Sequence, residues 1–156
     1  VTPVQLASFT AMVANRGHYL VPHVIRGIGK PVSVQKEQNK EYTCTVDSIY
    51  FAWVIQGMER VVLGGTATNA RLDSISICAK TGTAQNPHGE PHSVFVAFAP
   101  KENPRIAISV IVENAGWGAT WAAPIASLMI EKYLTGKIRR TEVETAMIQG
   151  NLISAP

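Results

Sequence analysis

"SVFVAFAPKENPRIAISVIVE", residues 93 to 113, decides the fold. Two β-rich runs, Ser93 to Ala99 and Arg105 to Glu113, flank the connection Pro100-Lys101-Glu102-Asn103-Pro104. Breakers at that density mark a turn, and strands joined so tightly run antiparallel. A further apolar, β-branched run, "ISICAKTGTA" over residues 75 to 84, lies just upstream and reads as another strand of the same sheet.

Helical signals surround these strands. Thr2-Pro3-Val4-Gln5 combines an N-cap, a proline suited to the first helical position and the glutamine of a capping box. Val1 and Leu6 sit where a hydrophobic staple would join them. Leu6, Phe9 and Val13 repeat at helical spacing, and Gly17 supplies the stop. Tyr19 to Ile28 is β-rich, but Pro22 restricts it to an edge strand or a bulged segment, and 29 to 43 reads as a loop or loose hairpin. Asp47 caps a second helix that runs to about Leu63. Its apolar face carries Tyr50, Phe51, Val54, Ile55, Met58 and Val62. A last helix spans about Thr120 to Leu134, with Gly136 beyond its end and weak periodicity after it. The order predicts an α+β fold, an antiparallel sheet of at least three strands with flanking helices.

Composition narrows the class. The chain has 156 residues, enough for one domain with a sizeable core, and its 46% hydrophobic content excludes disorder. Net charge is +3, but the basic residues are scattered apart from Lys137, Arg139 and Arg140, which speaks against a nucleic-acid face. The Lys137–Arg140 cluster is most simply read as a helix C-terminus complementing its dipole. Cys44 and Cys78 alone do not define a disulfide framework. No apolar run reaches membrane-spanning length. The chain starts at Val1 rather than Met, and the expectation is a piece of a longer protein.

Lys80-Thr81-Gly82-Thr83 is the unusual feature of the 75 to 84 run. Lysine is rarely buried unpaired, so Lys80 faces a cleft or an acid. Gly82 marks a place where a backbone or ligand approaches closely, and Thr81 and Thr83 add hydroxyl donors. A cation, two hydroxyls and a bare strand edge suit an extended ligand that ends in a carboxylate and adds to the sheet. The plainer alternative is an edge strand entering a turn with Lys80 solvated.

Five segments carry a resemblance: "VTPVQLASFTAMVANRG" (1–17), "GGTA" (64–67), "AKTGTAQ" (79–85), "VFVAFAP" (94–100) and "GATWAAPIASLMIEKYLTG" (118–136). In this order they resemble the C-terminal part of the transpeptidase domain of class B penicillin-binding proteins, those of cell elongation especially, over residues 1–136. Residues 137–156 are left as a tail. Lys80-Thr81-Gly82 is similar to the K-T-G signature that these enzymes share with serine β-lactamases. The resemblance implies a transpeptidase or serine β-lactamase-like fold, with Lys80 supporting proton traffic around a nucleophilic serine. It implies that Thr81 and Thr83 hold a terminal carboxylate, that the Thr83 N–H is an oxyanion donor, and that Gly82 stays small beneath the ligand. The implied ligands are the D-Ala-D-Ala end of a peptidoglycan stem peptide and β-lactam antibiotics. The implied partners are the upstream part of the same domain and the cell-elongation machinery. No cofactor or metal is implied. The parent would be anchored in the inner membrane and face the periplasm.

The same resemblance calls for S-x-x-K and S-x-N motifs. No S-x-N or Y-x-N occurs, and Ser33-Val34-Gln35-Lys36 lies in a polar stretch without the apolar periodicity of a packed helix. The expectation is therefore a fragment that contributes the K-T-G strand and is inactive alone. A serine β-lactamase or β-lactam sensor, and a non-catalytic peptide-binding module, are the rival readings. His88-Gly89-Glu90-Pro91-His92 imitates a zinc motif, but glycine and proline argue against the helix that such spacing needs. His18 and His23 read as surface or satisfied core residues; Trp117 and Trp121 read first as packing for the last helix, with a place bordering the cleft as the alternative.

Overall fold

A computed structural model describes residues 1–25 and 40–152. The elements in chain order are α1 (Pro3–Ala14), β1 (His18–Leu20), β2 (Glu41–Thr43), α2 (Ser48–Leu63), a 3₁₀ turn (Thr68–Ala70), β3 (Cys78–Ala84), β4 (His92–Ala99), β5 (Ile106–Val112), α3 (Ala122–Thr135) and α4 (Thr141–Gln149). The fold is α+β. An antiparallel sheet of order β3-β4-β5 carries the core, and β1 and β2 form a separate antiparallel pair.

The register pairs Lys80 with Val96 and Gly82 with Val94 across β3 and β4, and Val96 with Ser109 across β4 and β5. Side chains alternate between the two faces. One face buries Ala79, Phe95, Ala97, Ala99 and Ile108 against Ala122, Ala123, Ala126 and Ile130 of α3. The other buries Cys78 and Phe98 against Val13 and Ala14 of α1 and Phe51 and Ile55 of α2. Among the described residues β3 has a neighbour on one side only, so alternate N–H and C=O groups along its outer edge face away from the sheet.

The helix ends follow their sequence signals. Gln5 N–H donates to Thr2 Oγ1 while Thr2 N–H donates to Gln5 Oε1, which completes the capping box. Asp47 Oδ1 accepts from Ile49 N–H at the start of α2. Gly136 closes α3 at φ +79, a left-handed conformation open to glycine without a Cβ penalty.

Other expectations change. Val1 is 97% exposed, so no staple to Leu6 forms, and Phe9 is 60% exposed. Along α2, Phe51, Ile55 and Val62 are buried whereas Tyr50 and Val54 face outward. The expected strand from Tyr19 to Ile28 reduces to His18–Leu20, paired with Glu41–Thr43. Residues 21–25 join no strand, and 26–28 lie outside the described residues. Strand β3 begins at Cys78 rather than residue 75; Leu72 and Ile75 form an isolated bridge instead.

Residues 137–149 fold back on α3. Arg140 Nε donates to Glu131 Oε2 at 3.1 Å and its guanidinium reaches Ser127 Oγ at 3.0 Å, while Arg139 N–H donates to Glu131 Oε1. Glu131 and Ser127 are both buried. Arg140 therefore satisfies a buried carboxylate, which corrects the reading of this cluster as a complement to a helix dipole. α4 follows directly, a helix that the weak periodicity did not announce. Among the described residues no helix is long and apolar enough to cross a membrane.

Candidate functional site: the Lys80 strand and its surroundings

Lys80, Thr81, Gly82 and Thr83 all lie within β3, extended and on the sheet's edge. Cys78 and Ala79 anchor the strand in the two cores, and exposure begins at Lys80. Alternation sets Lys80 and Gly82 on the face shared with Cys78, and Thr81 and Thr83 on the α3 face. Lys80 Nζ donates to the carbonyl oxygen of Thr81 at 2.7 Å. The ammonium is thus folded against its own strand edge. Among the described residues Lys80 meets no acid.

Thr81 is held at a second atom. Its Oγ1 lies 2.8 Å from Thr66 Oγ1, on the segment that leads from α2 into the 3₁₀ turn. From the same turn, Asn69 Nδ2 donates to the carbonyl of Ala119 at 2.6 Å. One short segment therefore contacts both β3 and the loop that precedes α3.

That loop crosses the sheet. After β5, the N–H groups of Ala115 and Gly116 both donate to the carbonyl of Pro91. The buried Ser93 then fastens the loop twice: its hydroxyl donates to the Trp117 carbonyl at 2.9 Å and accepts from Ala122 N–H at 3.1 Å. Trp121 offers no side-chain cap, so Ser93 supplies the partner that an α3 N-terminal amide needs. Gly118 lies against β3 and β4 themselves. A Cβ there would run into the carbonyl oxygens of Gly82 and Val94, so only glycine permits the approach. At Gly82 a Cβ would meet Val94 at 3.4 Å, an ordinary contact, so the requirement for a bare backbone is sharper at Gly118.

The turn between β3 and β4 has its own fastenings. Asn86 Nδ2 donates to Asn114 Oδ1, and Asn114 N–H donates to His92 Nδ1 at 3.1 Å. His92 thus works as a backbone acceptor. His18 pairs with Glu41 at 3.2 Å on the surface, and His23 Nδ1 lies 3.1 Å from the Val21 carbonyl. Among the described residues no group of three or more His, Cys, Asp or Glu side chains could hold a metal ion. Trp121 packs against Gly150 after α4, whereas Trp117 is 74% exposed, which corrects its assignment to helix packing. Ser33 and Lys36 lie outside the described residues.

Cys44 and Cys78 are free thiols. Burial, reinforced by the Glu59 carboxylate, pushes the Cys78 thiol up to about 12. It behaves as a small apolar core residue. Lys101, in the β4–β5 turn, is raised above the usual lysine value by its 2.8 Å hydrogen bond to Glu59.

The model of the penicillin binding protein transpeptidase domain matches residues 1–131. The chain belongs to the penicillin-binding protein transpeptidase family. This transpeptidase-family chain is 32% identical to the peptidoglycan D,D-transpeptidase MrdA of Haemophilus influenzae, over 95% of itself and 26% of that protein. It is 36% identical to penicillin-binding protein 2A of Bacillus subtilis, over 71% of itself and 18% of that protein. Among solved structures it superposes on Pseudomonas aeruginosa PBP2 in complex with WCK 5153 at a TM-score of 0.75 and 35% identity. That match covers 90% of this chain and 32% of the other. Penicillin-binding protein A of M. tuberculosis, solved as a ceftriaxone acyl-enzyme complex, gives 0.73 at 27% identity over 86% of this chain and 33% of that one. The chain thus spans about a quarter of the MrdA relative and about a third of each of these solved chains.

Sequence reasoning located β3 and its four residues but gave no role to Thr66, Asn69, Ser93 or Gly118. "GGTA" was visible as part of the resemblance, but Thr66 and Thr81 are separated by 15 residues and only the fold unites them. For Ser93, the signal available was a lone hydroxyl opening an otherwise apolar strand.

Proposed function

We propose that this chain is the C-terminal, K-T-G-bearing part of a peptidoglycan D,D-transpeptidase of the penicillin-binding protein 2 kind. Residues outside the chain would supply its serine nucleophile. The observation that carries this reading is the extended edge strand at Lys80–Thr83, with Thr81 fixed at both its carbonyl and its hydroxyl, inside a family match over residues 1–131.

In the proposed reaction the carboxylate of a D-Ala-D-Ala stem peptide lies at the Thr81 and Thr83 hydroxyls. The peptide backbone adds to the free edge of β3. The serine oxygen bonds to the penultimate carbonyl carbon, the C–N bond breaks, and D-Ala departs with the proton. An amine of a neighbouring strand then attacks the ester, forms the cross-link and returns a proton to the serine. The Thr83 N–H stabilises the oxyanion, and the Lys80 ammonium supplies a positive field and proton traffic once it swings from its own strand edge. A β-lactam would follow the first half of this path, as in the acyl-enzyme complexes of the M. tuberculosis relative. The parent would work at the periplasmic face of the inner membrane with the cell-elongation machinery.

The share of the relatives covered, together with the absence of S-x-N, supports a nucleophile elsewhere. The test is labelling by fluorescent penicillin. The chain alone is expected to remain unlabelled, and the domain completed by its upstream residues to be labelled. Lys80→Ala should slow that labelling by at least ~100-fold. Labelling of the chain alone, with a modified Ser33 found by mass spectrometry, would overturn the division of the site. Labelling indifferent to Lys80→Ala would remove the role given to Lys80.

A further inference from the structure

Thr66 and Thr81 face each other with their hydroxyl oxygens 2.8 Å apart, and this contact has a direction that depends on what Thr81 is doing. A threonine hydroxyl has one proton and two lone pairs. A carboxylate has only lone pairs to offer, so Thr81 can bind one only by donating its single proton outward. Its oxygen must then accept from Thr66. The reverse arrangement, with Thr81 donating to Thr66, presents lone pairs to the incoming anion and repels it.

Two further contacts make Thr66 more than a neighbour. Thr81 is paired with Phe95 in the β3–β4 ladder, so the residue's backbone position is set and its hydroxyl orientation is what remains. Thr66 itself is carried on a segment tied at Asn69 to the Ala119 carbonyl, beside the Gly118 crossing over β3. The segment therefore holds a fixed distance to the strand.

We propose that Thr66 is a positioning residue for carboxylate capture: it donates to Thr81 Oγ1 and so commits the Thr81 proton to the anionic end of the ligand. This rests on the reading of β3 as a carboxylate-binding strand. Charge on the ligand then strengthens the Thr66–Thr81 bond, because hydrogen bonds in a chain polarise one another.

The experiment compares two probes on the completed transpeptidase domain: a fluorescent penicillin with its free carboxylate, and the same compound as the methyl ester. Second-order acylation rates are measured for both. Thr66→Val is expected to slow acylation by the free acid about tenfold, as the loss of one hydrogen bond serving a charged group does. The ester should change by less than about twofold, since it carries no charge for this hydroxyl pair to meet. Thr66→Ser, which keeps the hydroxyl, should restore the acid rate. On a Thr81→Val background, Thr66→Val should add nothing, because the partner it acts through is gone.

Equal slowing of acid and ester by Thr66→Val would show a merely structural role and overturn the inference. An unchanged acid rate in Thr66→Val, with Thr81→Val impaired, would overturn it while leaving the reading of β3 intact. If neither Thr81→Val nor Lys80→Ala slowed the acid, the reading of β3 itself would fall.

Discussion

On one face of the β3-β4-β5 sheet, α3 covers Ala79, Phe95, Ala97 and Ile108. On the other, α1 and α2 bury Cys78 and Phe98, while Val94 and Val96 stay half-buried and Lys80 is exposed. The helices of this second layer also turn apolar side chains to solvent, Phe9 from α1 and Tyr50 and Trp53 from α2. The closed face thus holds the protein's stability, and the open one carries the charged residue of the candidate site. A strand that serves both must change character along its length, and β3 does so between Ala79 and Lys80.

The sharpest way to break this contrast is to hollow out the closed face. Phe95→Ala removes a fully buried ring and should cost about 3–5 kcal/mol in urea unfolding. A loss below about 1 kcal/mol would mean that the α3 layer is not the principal core. Gly118→Ala comes next: the added methyl must push the loop off the Gly82 and Val94 carbonyls, at roughly 1–3 kcal/mol. Wild-type stability in that variant would show that the loop is free to lift.

Cys78 sharpens the comparison at the buried end of the open face. Its thiol is raised to about 12 from an ordinary 9.0, so the folded state retains a proton that the unfolded state loses earlier. Its contribution is complete below about pH 9 and is lost as pH rises toward about 12. The urea midpoint should therefore fall across that interval, and Cys78→Ala should flatten the fall. A thiol reagent at pH 8 should leave native Cys78 unmodified. The smallest effect belongs to Lys80. Because Lys80 is exposed and, among the described residues, bonded to its own strand, Lys80→Ala should keep stability within about 0.5 kcal/mol. A large destabilisation would make Lys80 a structural residue and erase the division between the faces.

Local chemistry explains what was legible in the sequence. Thr2 with Gln5, Asp47 and Gly136 act within a turn of where they stand, and each forms the cap its neighbours imply. The β4–β5 hairpin follows from two β-rich runs and the breakers between them. Periodicity was less reliable for burial. Leu6, Phe9 and Val13 share a helical stripe, but what lies opposite decides which of them is covered, and Phe9 finds nothing among the described residues. The helix α4 is hard to read because its apolar repeat, Val143, Ala146 and Met147, is short, and Arg140 just before it is held by a buried Glu131 of α3 nine positions away. At the site, Lys80 to Thr83 are contiguous and could be read together. Thr66, Ser93 and Gly118 act on residues 15 or more positions away and became visible only once the chain had folded.

Ser93 sits one residue into β4, and its hydroxyl meets both the Trp117 carbonyl and the Ala122 amide. Strand side chains alternate, so sliding β4 by a single position would carry that hydroxyl to the opposite face of the sheet. The location of the loop flanking β3 is thus counted out along β4, residue by residue, on a strand whose register is set by its neighbours on both sides.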